Sequence, residues 1–75
     1  MQQPKVLDVS NEEYRVYTFV RDGQIYFVTI REPLQVIIGS DGHRLVDNGG
    51  ENHFVPNGWI HLRWRVKGVE APPPK

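Results

Sequence analysis

The sequence predicts an all-β fold, a small antiparallel meander of five to six strands forming a partly open barrel or strongly bent sheet. Three observations carry this. Runs rich in β-branched and aromatic residues alternate with turn signals every 7 to 19 residues. No segment shows a 3.6-residue apolar period. In the last such run, "WIHLRWRVK", apolar and polar side chains alternate without a slip from Ile60 to Lys67, the period of a strand with one wet face.

The elements follow in order. "VSNEEY" offers Ser10 or Asn11 as a helix cap, but the β-rich run behind it leaves room for a single turn at most. "EYRVYTFV" and "QIYFVTI" flank Asp22-Gly23, whose pair of residues suits a type I′ turn, so they form a hairpin. With a two-residue loop, Val20 pairs with Ile25, Phe19 with Tyr26, Thr18 with Phe27 and Tyr17 with Val28. "PLQVIIG" is a strand with Pro33 at its start, where a missing N–H does least harm. "SDG" turns into "HRLVD", "DNGG" into "HFV", and "PNG" into the last strand. In that strand Ile60, Leu62, Trp64 and Val66 are expected to face the core. The domain is expected over 5–69, between an N-terminal tail at 1–4 and a Pro-rich tail at 70–75 in polyproline II form.

Composition narrows the function. One domain is the only sensible count for 75 residues. A domain this small buries about 60% of the surface its unfolded chain exposes, which leaves stability modest. Cysteine is absent, so no disulfide reinforces the fold, in keeping with a reducing compartment. The first residues lack the pattern of a secretory signal, and no apolar run approaches the roughly 20 residues that cross a bilayer. The expected location is the cytoplasm. Nine basic residues balance nine acidic ones, so charge-driven binding must rest on local patches.

Two patches stand out. The first hairpin is apolar on both faces. One face carries Tyr14, Val16, Val20, Ile25 and Phe27, and the other Tyr17, Phe19, Tyr26, Val28 and Ile30. A sheet with one wet side does not look like this. A face left uncovered marks a contact with another protein or a second copy, and Tyr17, Phe19, Tyr26, Val28 and Ile30 are the expected contact residues. Either "KVLDV" or the 53–56 segment is the alternative cover from within the chain. The second patch is the row His61, Arg63, Arg65 and Lys67, joined by Arg44 from another strand. Cations roughly 6.5–7 Å apart can follow the phosphates of a single nucleic-acid strand, with Trp59 or Tyr26 for base stacking. On an edge strand the same charges also serve to prevent unwanted pairing.

"GENHFVPNGWIHLRWR" spaces Gly50, Pro56, Gly58, His61 and Arg65 so that residues 50–65 resemble the second sequence motif of cupins. That resemblance implies a metal ligand at His61. The family ends the motif with Asn where Arg65 stands, and the HxH pair and Glu of the first motif have no counterpart upstream. One ligand does not make a site. His43, Asp47 and His53 flank turns and offer imidazole and carboxylate of the kind that suits zinc, but without a ligand spacing. Ser10 and Ser40 are the only serines, and neither sits in a nucleophile elbow. The expectation is therefore a non-catalytic protein-interaction module without metal or cofactor, of the kind found among accessory proteins of bacteria or bacteriophages. A nucleic-acid-binding β-barrel is the alternative, and a cupin-like metal protein the remote one.

Overall fold

The computed structural model describes residues 5–68 and is all-β, with seven strands in two antiparallel sheets that do not close into a barrel. The strands are β1 Lys5–Asp8, β2 Glu12–Arg21, β3 Gln24–Arg31, β4 Pro33–Gly39, β5 Gly42–Asp47, β6 Asn52–Pro56 and β7 His61–Val66. β1 raises the count above the expected six, since the four-residue run "KVLD" is too short to announce itself. The expected tails at 1–4 and 70–75, and residue 69, lie outside the described residues.

The chain changes sheet three times. Strands β1, β4, β5 and β6 form one sheet in that spatial order, and β3, β2 and β7 form the other. The β2–β3 hairpin has the register its Asp22-Gly23 turn dictates, from Arg21 opposite Gln24 to Tyr14 opposite Arg31. Both turn residues have positive φ, 53° and 75°, as a type I′ turn requires. The step from β3 to the other sheet is compressed into Glu32, which also has positive φ at 51°. The Glu32 N–H donates to the Glu13 carbonyl at 2.9 Å, and its own carbonyl accepts from the Asn48 N–H at 2.8 Å. Lys67 meets its carboxylate at 2.6 Å. Those three ties hold a conformation that a residue before proline seldom adopts.

At the β4–β5 turn, Gly42 has φ 150°, and a Cβ there would run into the Val55 carbonyl and the backbone of Pro56. Only glycine lets β5 lie this close to β6.

The core lies between the sheets. Tyr17 and Ile30 from the three-stranded sheet meet Val36, Leu45 and Val55 from the four-stranded one, with Val9 from the β1–β2 connection. Leu7, Phe19, Ile38, Trp59 and Leu62 pack around this cluster. Alternation then fixes the remaining faces. Arg44 and Phe54 point outward from the four-stranded sheet, and Tyr14, Ile25, Phe27 and Arg63 outward from the three-stranded one.

The last strand departs from expectation in detail. Leu62 packs on the core, but Ile60 precedes β7 and is exposed, and Trp64 is 52% exposed. Trp64 lies on the inner side at the rim, with the Arg15 guanidinium 5.5 Å from its ring centroid. Trp59, from the β6–β7 loop, is the tryptophan that packs on the core.

Leu45→Ala should cost about 2–5 kcal/mol, as core Leu truncations do. Arg44→Ala, one residue away on the exposed face, should stay within about 0.5 kcal/mol. Urea unfolding of both variants checks this, and Trp59→Ala should lower the midpoint more than Trp64→Ala.

Candidate interaction surface

The hairpin β2–β3 extends beyond the cover that the four-stranded sheet provides. Its base is buried, with Tyr17 and Ile30 fully enclosed in the core. These two residues are therefore core members of the chain itself, not surface contacts as the sequence suggested. Phe19 is partly buried against the same cluster. Only Tyr26 and Val28 of the expected contact face are exposed: Tyr26 lies toward the turn, and Val28, though opposite buried Tyr17, stands on the outermost strand of its sheet. On the outer face, Val20, Ile25 and Phe27 form an apolar patch, with Ile25 60% and Phe27 64% exposed. The open apolar surface thus belongs to the turn-proximal half of the hairpin, on both faces.

β3 is also a sheet edge. Seven of its eight residues are exposed. A two-residue turn makes Arg21 and Gln24 a hydrogen-bonded pair, so Tyr26, Val28 and Ile30 spend their backbone groups on β2. Ile25, Phe27 and Thr29 then direct theirs to the open side. The complementary half of this alternation is visible on β2, where the Thr18 carbonyl accepts from the Ile60 N–H at 2.8 Å on the β7 side.

The basic row is split and partly neutralised. Arg44 stands on the outer face of the other sheet, paired with Asp41 at 3.3 Å and stacked 4.8 Å from the Phe54 centroid. It does not join the row, because β5 belongs to the four-stranded sheet. Arg65 meets Glu13 at 3.4 Å and Lys67 meets Glu32 at 2.6 Å. His61 and Arg63 remain exposed on the outer face, with Arg63 5.7 Å from the Tyr14 ring centroid. The aromatic residues that share this face are Tyr14 and Phe27, rather than Trp59 or Tyr26.

The interior holds a polar chain that sequence reading passed over. The Arg15 Nε donates to Glu12 at 2.7 Å, and both side chains are buried. Arg15 Nη1 donates to the Tyr17 hydroxyl at 3.0 Å, and that hydroxyl lies 2.8 Å from His43 Nδ1. A guanidinium can only donate, so the Tyr17 proton is free to go to His43, which then carries its own proton on Nε2. Trp59 closes the cluster, 5.0 Å from Tyr17 and 4.6 Å from His43 between ring centroids. No buried side-chain nitrogen or oxygen among the described residues lacks a partner. The available signal was Arg15 itself, a charge in strand register with Tyr17 and Phe19 on the apolar face. Burial, and secondarily the Arg15 charge, hold the His43 pKa below its ordinary value. Burial pushes the Tyr17 phenol up.

His43 is therefore engaged away from Asp47 and His53. Asp47, Glu51 and His53 bring ligand-type atoms within 4.8 Å of one another. Yet Asp47 Oδ1 accepts from the Gly49 and Glu51 N–H groups at 2.9 and 3.0 Å, and Oδ2 pairs with His53 Nε2 at 2.8 Å. Those bonds lock the β5–β6 turn, and the His53 bond above all holds the Asp47 carboxyl below its usual range. His61 is not part of that group. The stretch that resembles the cupin motif is divided between sheets, β6 in one and β7 in the other. A depression of about 560 Å³ on the outer face of the four-stranded sheet is lined by Gln35, Ile37, Arg44, Val46, Asn52 and Phe54. No protein-family model, curated protein or solved structure matches the chain.

Replacing Arg15 with Met leaves Glu12 buried and uncompensated, which should cost about 3–5 kcal/mol. Adding Glu12→Gln should recover part of that loss in urea unfolding.

His43 also sets a pH dependence. Its folded-state pKa lies below the unfolded value of about 6.5, so the unfolded chain takes up the proton first. Its contribution is full above that value and is lost as pH falls through the lowered folded pKa. Urea midpoints should fall from about pH 7.5 to about pH 5, and His43→Gln should flatten that slope. An unchanged slope in the variant would assign it to another group.

Proposed function

We propose that this chain is a non-catalytic protein-interaction module whose contact element is the turn-proximal half of the β2–β3 hairpin. The observation that supports it is the state of β3, which among the described residues is an unpaired edge with Ile25, Tyr26, Phe27 and Val28 exposed in succession. A long apolar edge strand invites another strand. Backbone groups on its open side supply affinity, and side chains on both faces supply selectivity. Tyr26 suits a contact boundary, since its ring is apolar and its hydroxyl already donates to Gln24 at 2.7 Å. The partner is another protein or a second copy, and the cysteine-free composition suits action in the cytoplasm.

The nucleic-acid reading has one observation in its favour: His61 and Arg63 share the outer face with Tyr14 and exposed Phe27. Ion pairing of Arg65 and Lys67 with Glu13 and Glu32 weighs against it, since paired cations release fewer counterions.

A photoactivatable benzophenone residue in place of Phe27 or Phe54, irradiated in an extract of the source cells, separates these readings. Position 27 should give discrete protein adducts, diminished by Ile25→Lys, while position 54 on the opposite sheet gives few. Nuclease-sensitive adducts at position 27 would favour nucleic acid. Equal yields from the two positions would overturn the assignment of the hairpin.

A further inference from the structure

Among the described residues the two sheets have four free edges, and they are not alike. β1 has four residues and carries Lys5 and Asp8. β6 has five and ends in Pro56. β7 carries His61, Arg63 and Arg65. Short length, proline and charge are the features that keep edges from pairing. β3 is eight residues long, regular in register, and free of charge and proline from Gln24 to Ile30, with Arg31 only at its end. Three edges are guarded and one is left open.

Charge then identifies what the open edge accepts. Asp22 stands at the turn end of β3 and Arg31 at the other end, and neither has an ion-pair partner among the described residues. An antiparallel copy of the same strand brings each of these charges to its opposite. We infer that the partner is a second copy of this chain, joined β3 to β3 across a twofold axis at Phe27, in a continuous six-stranded sheet. The inference rests on the reading of the hairpin as a protein-contact element.

The register follows from the backbone. Outward-facing groups lie at Ile25, Phe27 and Thr29, so new hydrogen-bonded pairs must join these odd-numbered positions. An axis at Phe27 pairs Phe27 with itself, Ile25 with the partner's Thr29, and Tyr26 with the partner's Val28. It places Arg31 opposite the partner's Gly23, beside the partner's Asp22. Aromatic and aromatic–β-branched cross-strand pairs are favourable ones. An axis one residue further, at Val28, would set Arg31 opposite Ile25 and leave Asp22 without its counter-charge. The isologous arrangement also closes, with no further open β3 edge to extend into a fibre.

The absence of cysteine makes the test clean. Sedimentation equilibrium of the full chain should give twice the 8.7 kDa chain mass. Ile25→Lys, at an exposed position, should keep the circular dichroism of the parent and weaken association at least tenfold. Facing Cα atoms in a hydrogen-bonded antiparallel pair are about 5.5 Å apart, within disulfide reach. Phe27→Cys should therefore form an oxidised dimer, while Val28→Cys and Val6→Cys should not. A chain monomeric at every concentration overturns the inference, as does one that shifts only on adding single-stranded DNA. A Val28→Cys dimer in place of the Phe27→Cys one overturns the axis. A monomeric chain whose benzophenone at position 27 still captures a different protein overturns the second copy and leaves the hairpin as a contact element.

Discussion

The hydrogen bond from Tyr17 to His43 joins the two sheets, and the arrangement of the rest follows from it. Tyr17 belongs to β2 and His43 to β5, and theirs is the one side-chain hydrogen bond between strands of different sheets among the described residues. Dispersion and apolar burial bring two sheets together without fixing their relative rotation, since those forces have little direction. A hydrogen bond chain does fix it. Glu12, Arg15, Tyr17 and His43 must all be satisfied at once, because each unpaired polar group in so small a core would cost a large fraction of total stability. Trp59 packs against the junction, edge-on to Tyr17 and tilted against His43.

That clamp sits at the middle of β2, and its position decides what remains open. Strands β4, β5 and β6 cover Tyr17 and Ile30. Their cover does not reach the Asp22-Gly23 turn, so among the described residues the distal hairpin has exposed apolar side chains on both faces and an unpaired edge along β3. β7 binds β2 on the other side and carries the charges of the three-stranded sheet. One sheet thus has a charged edge and an exposed apolar one, the asymmetry on which the proposed binding role rests.

Much of this was legible in the residues. Asp22-Gly23 set the hairpin register residue by residue, because a type I′ turn admits one pairing, and alternation then divided the side chains between two faces correctly. Which part of each face is covered was not legible. Coverage depends on where β4–β6 pack, and turn signals give strand limits without sheet membership. For the same reason Arg44 was assigned to the wrong ridge. Trp64 and Trp59 exchanged roles because alternation tells side from side but not centre from rim. The polar chain in the core left one trace in the sequence, Arg15 among apolar neighbours, while its far end, His43, reaches Tyr17 from 26 positions away and could be found only in three dimensions.

Amide hydrogen exchange along β3 tests most directly that this edge is open in the folded chain. In dilute solution the Tyr26, Val28 and Ile30 amides should be protected by β2, while those of Ile25, Phe27 and Thr29 exchange freely. Raising the protein concentration should protect these three as well. Equal protection of all six amides in a chain shown to be monomeric at that dilution would mean that the chain covers its own edge, and would contradict the hairpin's proposed role.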